Sequence, residues 1–247
     1  MSTPILELND VSVDFDGFFA LTDLSISLEH GELRSIIGPN GAGKTTFLDV
    51  ITGKVKPTKG SVSLRGSSII GFSEQKISRL GVGRKFQTPR VFENLSVSRN
   101  LELAASPSKM PFSLMFEKLN NTAKDEVYRL MDYVGLAPYA KVLAGSLSHG
   151  QKQWLAISML VAQSPDIILL DEPVAGLTDD ETNKTAELIK SLAGEHTVVV
   201  IEHDMEFIRD LAAPVTVLHQ GQLLTEGTLD EVKSDPKVIE VYLGQSE

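Results

Sequence analysis

Apolar and polar residues alternate over much of the N-terminal region. The alternation runs through Ile5–Leu8, Val11–Val13 and Leu24–Leu28, where apolar side chains recur with a period close to two. This period is that of a strand with one face on a core and the other in water. The pattern therefore predicts an antiparallel sheet with one solvated face.

From Glu32 onward the pattern changes to apolar strands followed by glycine-rich turns and helices. Continuous apolar runs of this kind fit strands that are buried on both faces of a parallel sheet. The predicted elements are the strands Arg34–Ile37, Ile167–Leu170 and Thr197–Ile201 and helices over 43–53 and 179–192. Strands alternating with helices indicate an α/β fold with a mostly parallel sheet.

Residues 89–163 carry no convincing parallel strand. Their apolar residues have helical spacing over Asp125–Val134 and Gln151–Gln163, which predicts a helical insertion. We therefore expect one domain over residues 1–247. In this division, 1–88 and 164–247 form the sheet core with its antiparallel lobe, and 89–163 form a helical subdomain.

Composition narrows the class of protein. With 42% hydrophobic residues, a chain of 247 residues can bury a full core. No stretch reaches the roughly 18 apolar residues of a membrane-spanning helix, and the first residues lack a signal-peptide pattern, so a cytoplasmic location is expected. The absence of cysteine excludes disulfides and thiolate zinc sites. A net charge of -10 argues against general nucleic-acid binding, but not against a nucleotide site.

A phosphate-binding motif follows the strand at Arg34–Ile37. The pattern G-x-x-x-x-G-K-[ST], with one more threonine after it, is formed by Gly38, Pro39, Asn40, Gly41, Ala42, Gly43, Lys44, Thr45 and Thr46. Glycines let backbone N–H groups surround phosphate oxygens, the lysine reaches the β and γ phosphates, and Thr45 offers a hydroxyl to Mg²⁺. The alternative is a glycine-rich turn with a surface lysine.

Two acidic residues, Asp171 and Glu172, end the apolar strand Ile167–Leu170. Ligands bind at the carboxyl ends of strands in open α/β sheets. Asp171 therefore suits the Mg²⁺ shell, and Glu172 suits the attacking water. Considered alone, the pair could equally be a solvated strand edge.

The segment Leu147–Gln151 resembles the LSGGQ signature of ABC ATPases, which implies a P-loop nucleotide hydrolase fold and an active site shared by two cassettes. In that family the signature, here Ser148, His149, Gly150 and Gln151, contacts the ATP that is bound to the opposite subunit. His149 departs from the usual glycine, which puts contacts that need a close backbone approach in doubt. The alternative is that Ser148 only caps a helix.

Four more residues fit the family pattern in the expected order. The resemblance implies that Gln87 senses Mg²⁺ and water, that Asp179 crosses the dimer interface, and that His203 bonds the γ-phosphate. It also implies that Phe15 stacks on adenine. The alternatives are a surface glutamine, a helix N-cap at Asp179, a structural histidine and a core aromatic residue.

Taken together, these residues predict transfer of a phosphoryl group from ATP to water, with Mg²⁺ held by Thr45, Gln87 and Asp171. Lys44 and backbone N–H groups would stabilise the developing charge, while Glu172 and His203 orient the water. No covalent intermediate is required.

Among ABC proteins, Gly81–Gln87, Glu172–Gly176 and the C-terminal Tyr242–Gly244 resemble the branched-chain amino acid and urea importer group. Ser148–Trp154 and Val238–Tyr242 resemble most the ATP-binding subunits of urea importers. The resemblance implies urea uptake, a second ATPase subunit in a homodimer or heterodimer, permease subunits on the inner face of the membrane, and indirectly a periplasmic binding protein. Import of branched-chain amino acids, export of lipopolysaccharide and a non-transport ABC ATPase are the alternatives.

Overall fold

The computed structural model describes residues 3–85, 88–106 and 121–243. The strands are β1 Leu6–Phe15, β2 Phe18–Leu28, β3 Leu33–Ile37, β4 Lys59–Leu64, β5 Ser67–Ser68, β6 Val82–Lys85, β7 Ile167–Asp171, β8 Thr197–Ile201, β9 Val215–His219 and β10 Gln222–Gly227. The α-helices are α1 Lys44–Ile51, α2 Glu74–Arg79, α3 Val97–Ala105, α4 Asn121–Tyr133, α5 His149–Val161, α6 Asp179–Leu192, α7 Met205–Leu211, α8 Leu229–Ser234 and α9 Pro236–Leu243.

The N-terminal alternation forms an antiparallel sheet, as predicted, with strand order β2-β1-β4-β5 among the described residues. The predicted segments Ile5–Leu8 and Val11–Val13 are not separate strands. They are joined in β1 through an irregular register at Asp10, whose φ is 49°. A tight turn at Asp16 and Gly17, with φ of 51° and 95°, links β1 to β2. Positive φ at both turn residues is the geometry of hairpins whose turn matches the strand twist.

The apolar runs form a second sheet with strand order β10-β9-β3-β8-β7-β6, in which only β10 runs antiparallel within the described part of the chain. Every residue of β8 is buried, as are the first four of β7. Burial on both faces explains why these strands are apolar without alternation. Their carboxyl ends lie at one edge of the sheet, which places the residues after β3, β7 and β8 together.

The helices α3, α4 and α5 lie between β6 and β7 in the sequence. Within 88–106 and 121–163, the only strand-like pairing is an isolated bridge between Ser96 and Leu143. Leu155 and Ile157 of α5 belong to the same apolar cluster as Ile168 and Leu170 of β7. The helical segment therefore packs directly on one face of the parallel sheet. None of the helices described is long and apolar enough to cross a membrane.

Two helices of this segment begin earlier than the sequence predicted. The structure starts α4 at Asn121 instead of Asp125 and α5 at His149 instead of Gln151. The start of α5 is fixed by Ser148, because its hydroxyl oxygen accepts a hydrogen bond from the backbone N–H of Gln151 at 3.1 Å. The Gln151 side chain in turn accepts one from the backbone N–H of Ser148 at 3.0 Å. This reciprocal capping satisfies two N–H groups at the helix end.

Candidate active site

The loop between β3 and α1 has the geometry of a phosphate-binding loop. Gly43 caps α1 with φ 99°, a backbone conformation that residues with a side chain rarely adopt. A Cβ atom there would lie 2.7 Å from the carbonyl oxygen of Ala20 and 2.8 Å from a methyl group of Leu21. Glycine at this position is therefore required both by the backbone and by the β2 strand that packs behind it.

Lys44, the first residue of α1, folds back over this loop. Its Nζ donates hydrogen bonds to the carbonyl oxygens of Gly38 at 2.6 Å and of Pro39 at 2.9 Å. Burial lowers the pKa of Lys44, and the nearby carboxylates of Glu172 and Asp171 partly oppose this shift. The ammonium group is thus held at the loop with two negative charges close by.

The loop and the strand-end carboxylates share one cleft of about 220 Å³. Its lining consists of Phe18, Ala20, Asn40, Gly41, Ala42, Gly43, Lys44, Thr45, Thr46, Asp171, Glu172 and Ile201. The structure therefore brings together the two motifs that the sequence separates by more than a hundred residues. Gly38 and Pro39 belong to the same loop and contact the cleft through Lys44.

The oxygen atoms of this cleft fit Mg²⁺. Thr45 contributes a hydroxyl group and Asp171 a carboxylate, both hard donors. In the described ranges no cluster of three or more histidine, cysteine or acidic residues could hold a metal alone. Mg²⁺ usually takes only one or two carboxylates and completes its shell with substrate phosphates and water, so this donor set is sufficient.

An arginine that the sequence did not suggest fixes Asp171. Arg84 on β6 is 6% exposed, and its Nη2 lies 3.0 Å from Oδ2 of Asp171. Its Nη1 forms a second ion pair with Asp49 of α1. Because a guanidinium donates along fixed directions, it holds Asp171 in one orientation. The available signal was the pair of charged residues, Arg84 and Lys85, shortly before Gln87.

Glu172 and His203 lie at the ends of adjacent parallel strands. The register pairs Asp171 with Ile201, so the next residues of β7 and β8 leave the sheet at the same edge. The Nδ1 atom of His203 is 3.8 Å from Oε1 of Glu172. Glu172 has φ 46°, an unfavourable value for a residue with a side chain. Such conformations are concentrated at functional sites.

A buried carboxylate, Glu202, organises the backbone beneath these two residues. It is 2% exposed and accepts hydrogen bonds from the backbone N–H groups of Val174 at 3.2 Å and His203 at 3.0 Å. Burial raises the pKa of Glu202, although both hydrogen bonds oppose the shift. Glu202 thus links the segment after Glu172 to the backbone of His203, whose imidazole is exposed.

We expect Glu202→Gln to be about 1–3 kcal/mol less stable than the wild type at pH 5, because the NH₂ group of glutamine cannot accept from one of the two N–H groups, whereas both oxygens of a carboxyl group can accept even when it is protonated. A raised folded-state pKa means that the wild type loses stability as the pH rises through that pKa. The neutral glutamine has no such dependence. Denaturant unfolding of both proteins between pH 5 and 8 should show the stability difference shrinking as the pH rises; a difference that grows would contradict the assignment.

A second buried charge, Lys85, lies at the end of β6. Its side chain is 5% exposed, and its Nζ has no hydrogen-bond partner among the residues that the structure describes. Burial lowers the pKa of Lys85 to about 8, against the opposing charges of Asp171, Glu202 and Glu172. Gln87, which the sequence assigns to Mg²⁺ and water, lies two positions further on and outside the described residues.

The four signature residues lie at the start of α5, away from the cleft around Lys44. Of the described residues that line that cleft, none belongs to Ser148–Gln151. Ser148 and Gln151 instead line a groove next to α6. His149 is exposed, and its Nε2 contacts the carbonyl oxygen of Ala175 at 3.2 Å. Gly150 is buried, and a Cβ at this position would overlap the carboxylate of Glu181.

Asp179 is the first residue of α6 and is exposed. The alternative that it caps the helix is wrong, because the N-cap is Thr178, whose hydroxyl oxygen accepts from the N–H of Glu181 at 3.4 Å. Asp179 and His203 line a common surface cleft of about 440 Å³. The residue predicted for the dimer interface and the histidine predicted for the γ-phosphate therefore open onto the same cleft.

Phe15 lies at the end of β1, before the tight turn, and is 48% exposed. It is paired directly with Phe18 of β2, which is 65% exposed and lines the cleft of Lys44. Directly paired residues of antiparallel strands share one face of the sheet. The sequence suggested Phe15 alone. The hairpin signal Asp16-Gly17, which has a phenylalanine on each side, could also have identified Phe18.

The two sheets, the phosphate-binding loop and the carboxylates at the strand ends define an ATP-binding cassette built on a P-loop nucleotide hydrolase fold. The chain belongs to the ABC transporter family, since the family model described as "ABC transporter" matches residues 21–175. A model described as "Branched-chain amino acid ATP-binding cassette transporter" matches residues 222–247. Membership in this family makes the chain an ATPase.

Comparisons over the whole chain agree with this assignment. The high-affinity branched-chain amino acid transport ATP-binding protein LivG of Salmonella typhimurium is 36% identical over 256 residues, covering 100% of both chains. The ADP conformation of an ATP-binding cassette of an ABC transporter has a TM-score of 0.84 and 30% identity, covering 98% of this chain and 100% of that one. A dimeric cassette in a post-hydrolysis state with ADP and Pi has a TM-score of 0.74 and 26% identity, covering 91% and 98%.

Proposed function

We propose that this chain is the ATP-hydrolysing subunit of an ABC importer, and that it works as one half of a pair of cassettes. The observation that carries the proposal is the separation of the signature residues Ser148–Gln151 from the cleft of Lys44 within one chain. A second cassette would complete the cleft with its own signature. The dimeric relative with ADP and Pi supports this arrangement.

The phosphate end of ATP is assigned to the loop Gly38–Thr46. Backbone N–H groups at the start of α1 and the Lys44 ammonium provide positive charge where the β and γ phosphates would lie. Thr45 and Asp171 would hold Mg²⁺ within the described residues, with Gln87 as the third proposed ligand. When bound, Mg²⁺ would neutralise negative charge on the phosphates.

Hydrolysis is assigned to Glu172 and His203. Glu172 would orient a water molecule and accept a proton from it as the water oxygen attacks the γ phosphorus and the bond to ADP breaks. His203 would donate a hydrogen bond to a γ-phosphate oxygen. Their separation of 3.8 Å and the support of the His203 backbone by Glu202 suit this cooperation.

The opposite ATP is assigned to Ser148, Gly150, Gln151 and the backbone of His149, and the interface between cassettes to Asp179. The start of α5 presents N–H groups and favourable partial charge to a phosphate of the partner cassette. Residues 89–163 are proposed as the helical subdomain that contacts permease subunits on the inner face of the membrane. A periplasmic binding protein would deliver the solute, and no nucleic acid takes part.

We propose urea as the solute, because Ser148–Trp154 and Val238–Tyr242 resemble the ATP-binding subunits of urea importers. Branched-chain amino acids are the second candidate, supported by the name of the LivG relative and by the match at residues 222–247. A cassette contacts permeases and not the solute, so its own residues bear on the solute only through such likenesses.

Uptake of labelled urea and labelled leucine should be measured in cells of the source organism that lack this chain, before and after its re-expression. Urea uptake that depends on the chain supports the first candidate, and leucine uptake that depends on it supports the second. If neither uptake changes, both proposed solutes are wrong. Re-expression of Glu172→Gln should restore neither uptake, which ties transport to ATP hydrolysis.

Adenine is expected to stack on the face that Phe15 and Phe18 share. Phe15→Ala and Phe18→Ala should each weaken ATP binding by about 5- to 10-fold, the scale of one lost stacking contact, while kcat changes little. Titration with a fluorescent ATP analogue would measure the affinity. Phe19→Ala is the matched control, since Phe19 is 55% exposed and pairs with Asp14, one position along from the Phe15–Phe18 pair. Equal losses in all three variants would contradict the assignment to one face.

A further inference from the structure

The histidine in the signature has a definite partner in its own chain. The Nε2 atom of His149 lies 3.2 Å from the carbonyl oxygen of Ala175. A carbonyl oxygen only accepts hydrogen bonds, so the contact requires the ring proton on Nε2. The ring also lies over Gly176, where a Cβ would come to 3.7 Å from Cδ2 and Nε2 of His149.

Two other residues of α5 contact the same neighbouring segment. Gln153 is fully buried, and its Nε2 donates a hydrogen bond to the carbonyl oxygen of Pro173 at 3.0 Å. Gly150 leaves room for the carboxylate of Glu181 in the first turn of α6. The N-terminal half of α5 thus binds the start of segment 173–181 by two hydrogen bonds and packs closely against its last residue.

This segment connects two parts of the proposed mechanism. Pro173 directly follows Glu172, and Asp179 lies near the other end. The backbone N–H of Val174 donates a hydrogen bond to Glu202, which also accepts one from the backbone N–H of His203. A shift of the segment would therefore move Glu172 relative to His203, and a misplacement of about 1 Å can slow a reaction by about a hundredfold.

We propose that His149 is a positioning residue that acts within its own chain, by holding the Ala175 carbonyl and so the segment after Glu172. The inference rests on the proposed function, in which each ATP lies between the loop of one cassette and the signature of the other. A signature residue would then serve two sites at once. Ser148 and Gly150 face the partner's ATP, while the His149 ring sets the catalytic geometry of the ATP bound to its own loop.

The opposite assignment gives a different result. A ring that contacts the partner's ATP would affect the site across the interface. Dimers in which only one site is active separate the two assignments. In such a dimer one chain carries Glu172→Gln, and the other chain keeps Glu172 and performs all turnover.

His149→Ala should be placed first on the active chain and then on the inactive chain of these dimers, each purified by two different affinity tags. We expect kcat to fall about 5- to 10-fold on the active chain, the scale of one neutral hydrogen bond, with KM for ATP unchanged. On the inactive chain we expect no change. A loss confined to the inactive chain, equal losses in both arrangements, or no loss in either would overturn the inference.

His149→Gln on the active chain should restore most of the rate, because its amide Nε2 can donate to the same carbonyl. Lys152→Ala is the matched control on α5; its Nζ pairs with Glu93 at 3.1 Å, away from segment 173–181, so no change in kcat is expected. Failure of the glutamine variant to rescue, or an equal loss in the control, would count against the inference.

Two further measurements, the tryptophan emission and the pairing and ATP hydrolysis of the wild type, separate this inference from the proposed function. The single tryptophan, Trp154, bonds Thr185 of α6 through Nε1 at 3.0 Å, so its emission reports directly on the α5–α6 contact. Unchanged emission in His149→Ala shows that the rate loss is not caused by a displaced helix; a changed emission assigns the loss to packing and overturns the inference. A wild type that neither pairs nor hydrolyses ATP would overturn the proposed function first.

Discussion

Glu172→Gln is expected to lower kcat for ATP hydrolysis by about 10²–10⁴-fold while ATP still binds. Glutamine has nearly the same shape as glutamate but accepts no proton, and a positioned general base contributes about this factor. Glu172 lies beside the loop in the cleft of Lys44 and within 3.8 Å of His203. Phosphate release by purified wild type and variant, at saturating ATP and Mg²⁺, measures the loss.

The same variant should accumulate a dimer held together by ATP, because the bridging nucleotide is no longer consumed. Light scattering of both proteins with ATP and Mg²⁺ would detect the increase in mass. Glu195→Gln, an exposed residue in the turn before β8, is the control and should turn over ATP like the wild type. A Glu172→Gln protein that retains more than about a tenth of the wild-type rate would show that another group activates the water.

Lys44→Met is expected to weaken ATP binding by about 10²–10³-fold. The substitution keeps the length of the side chain but removes the cation that faces the loop carbonyls of Gly38 and Pro39. It also removes one of the positive charges near Asp171 and Glu172, so that these two carboxylates repel the phosphates of ATP more strongly. Loss of one partner from a desolvated charge pair costs about 2–5 kcal/mol, and 1.4 kcal/mol corresponds to tenfold.

Calorimetric titration with ATP and Mg²⁺ measures this affinity directly. Lys56→Met is a suitable control, since Lys56 is exposed in the loop after α1 and does not line the cleft of Lys44. We expect the control to bind ATP within a factor of two or so of the wild type, as surface substitutions usually change free energies by no more than about 0.5 kcal/mol. An affinity of Lys44→Met equal to that of the control would exclude the assigned phosphate contact.

The features that could be predicted from the sequence are those encoded locally. The phosphate-binding loop needs glycines at fixed spacing because the backbone itself is the ligand, so Gly43 and Lys44 could be located without any tertiary information. The strands β7 and β8 were recognisable because burial on both faces leaves continuous apolar runs, as in Ile167–Leu170 and Val198–Ile201. The helical segment was predicted from spacing alone, although its helices begin earlier than expected.

The parts that could not be predicted depend on contacts between distant positions. Arg84 is 35 residues from Asp49 and 87 residues from Asp171, and no local pattern joins these three. Glu202 follows an apolar strand like many solvated strand ends, yet its partners are two backbone N–H groups that any residue could supply. Phe18 became a candidate only when the register of β1 and β2 placed it opposite Phe15.

The ion pairs of Arg84 limit how this protein can change during evolution. Loss of the guanidinium alone would remove the ion pair of Asp171, which is 17% exposed, and would leave Asp49, which is 11% exposed, only its pair with Lys54 at 3.0 Å. Loss of Asp49 would leave Arg84 with less compensation at a position that is 6% exposed. Breaking a buried pair typically costs about 3–5 kcal/mol. A single substitution at either position therefore lowers stability, and we expect Asp49 and Arg84 to covary among related cassettes.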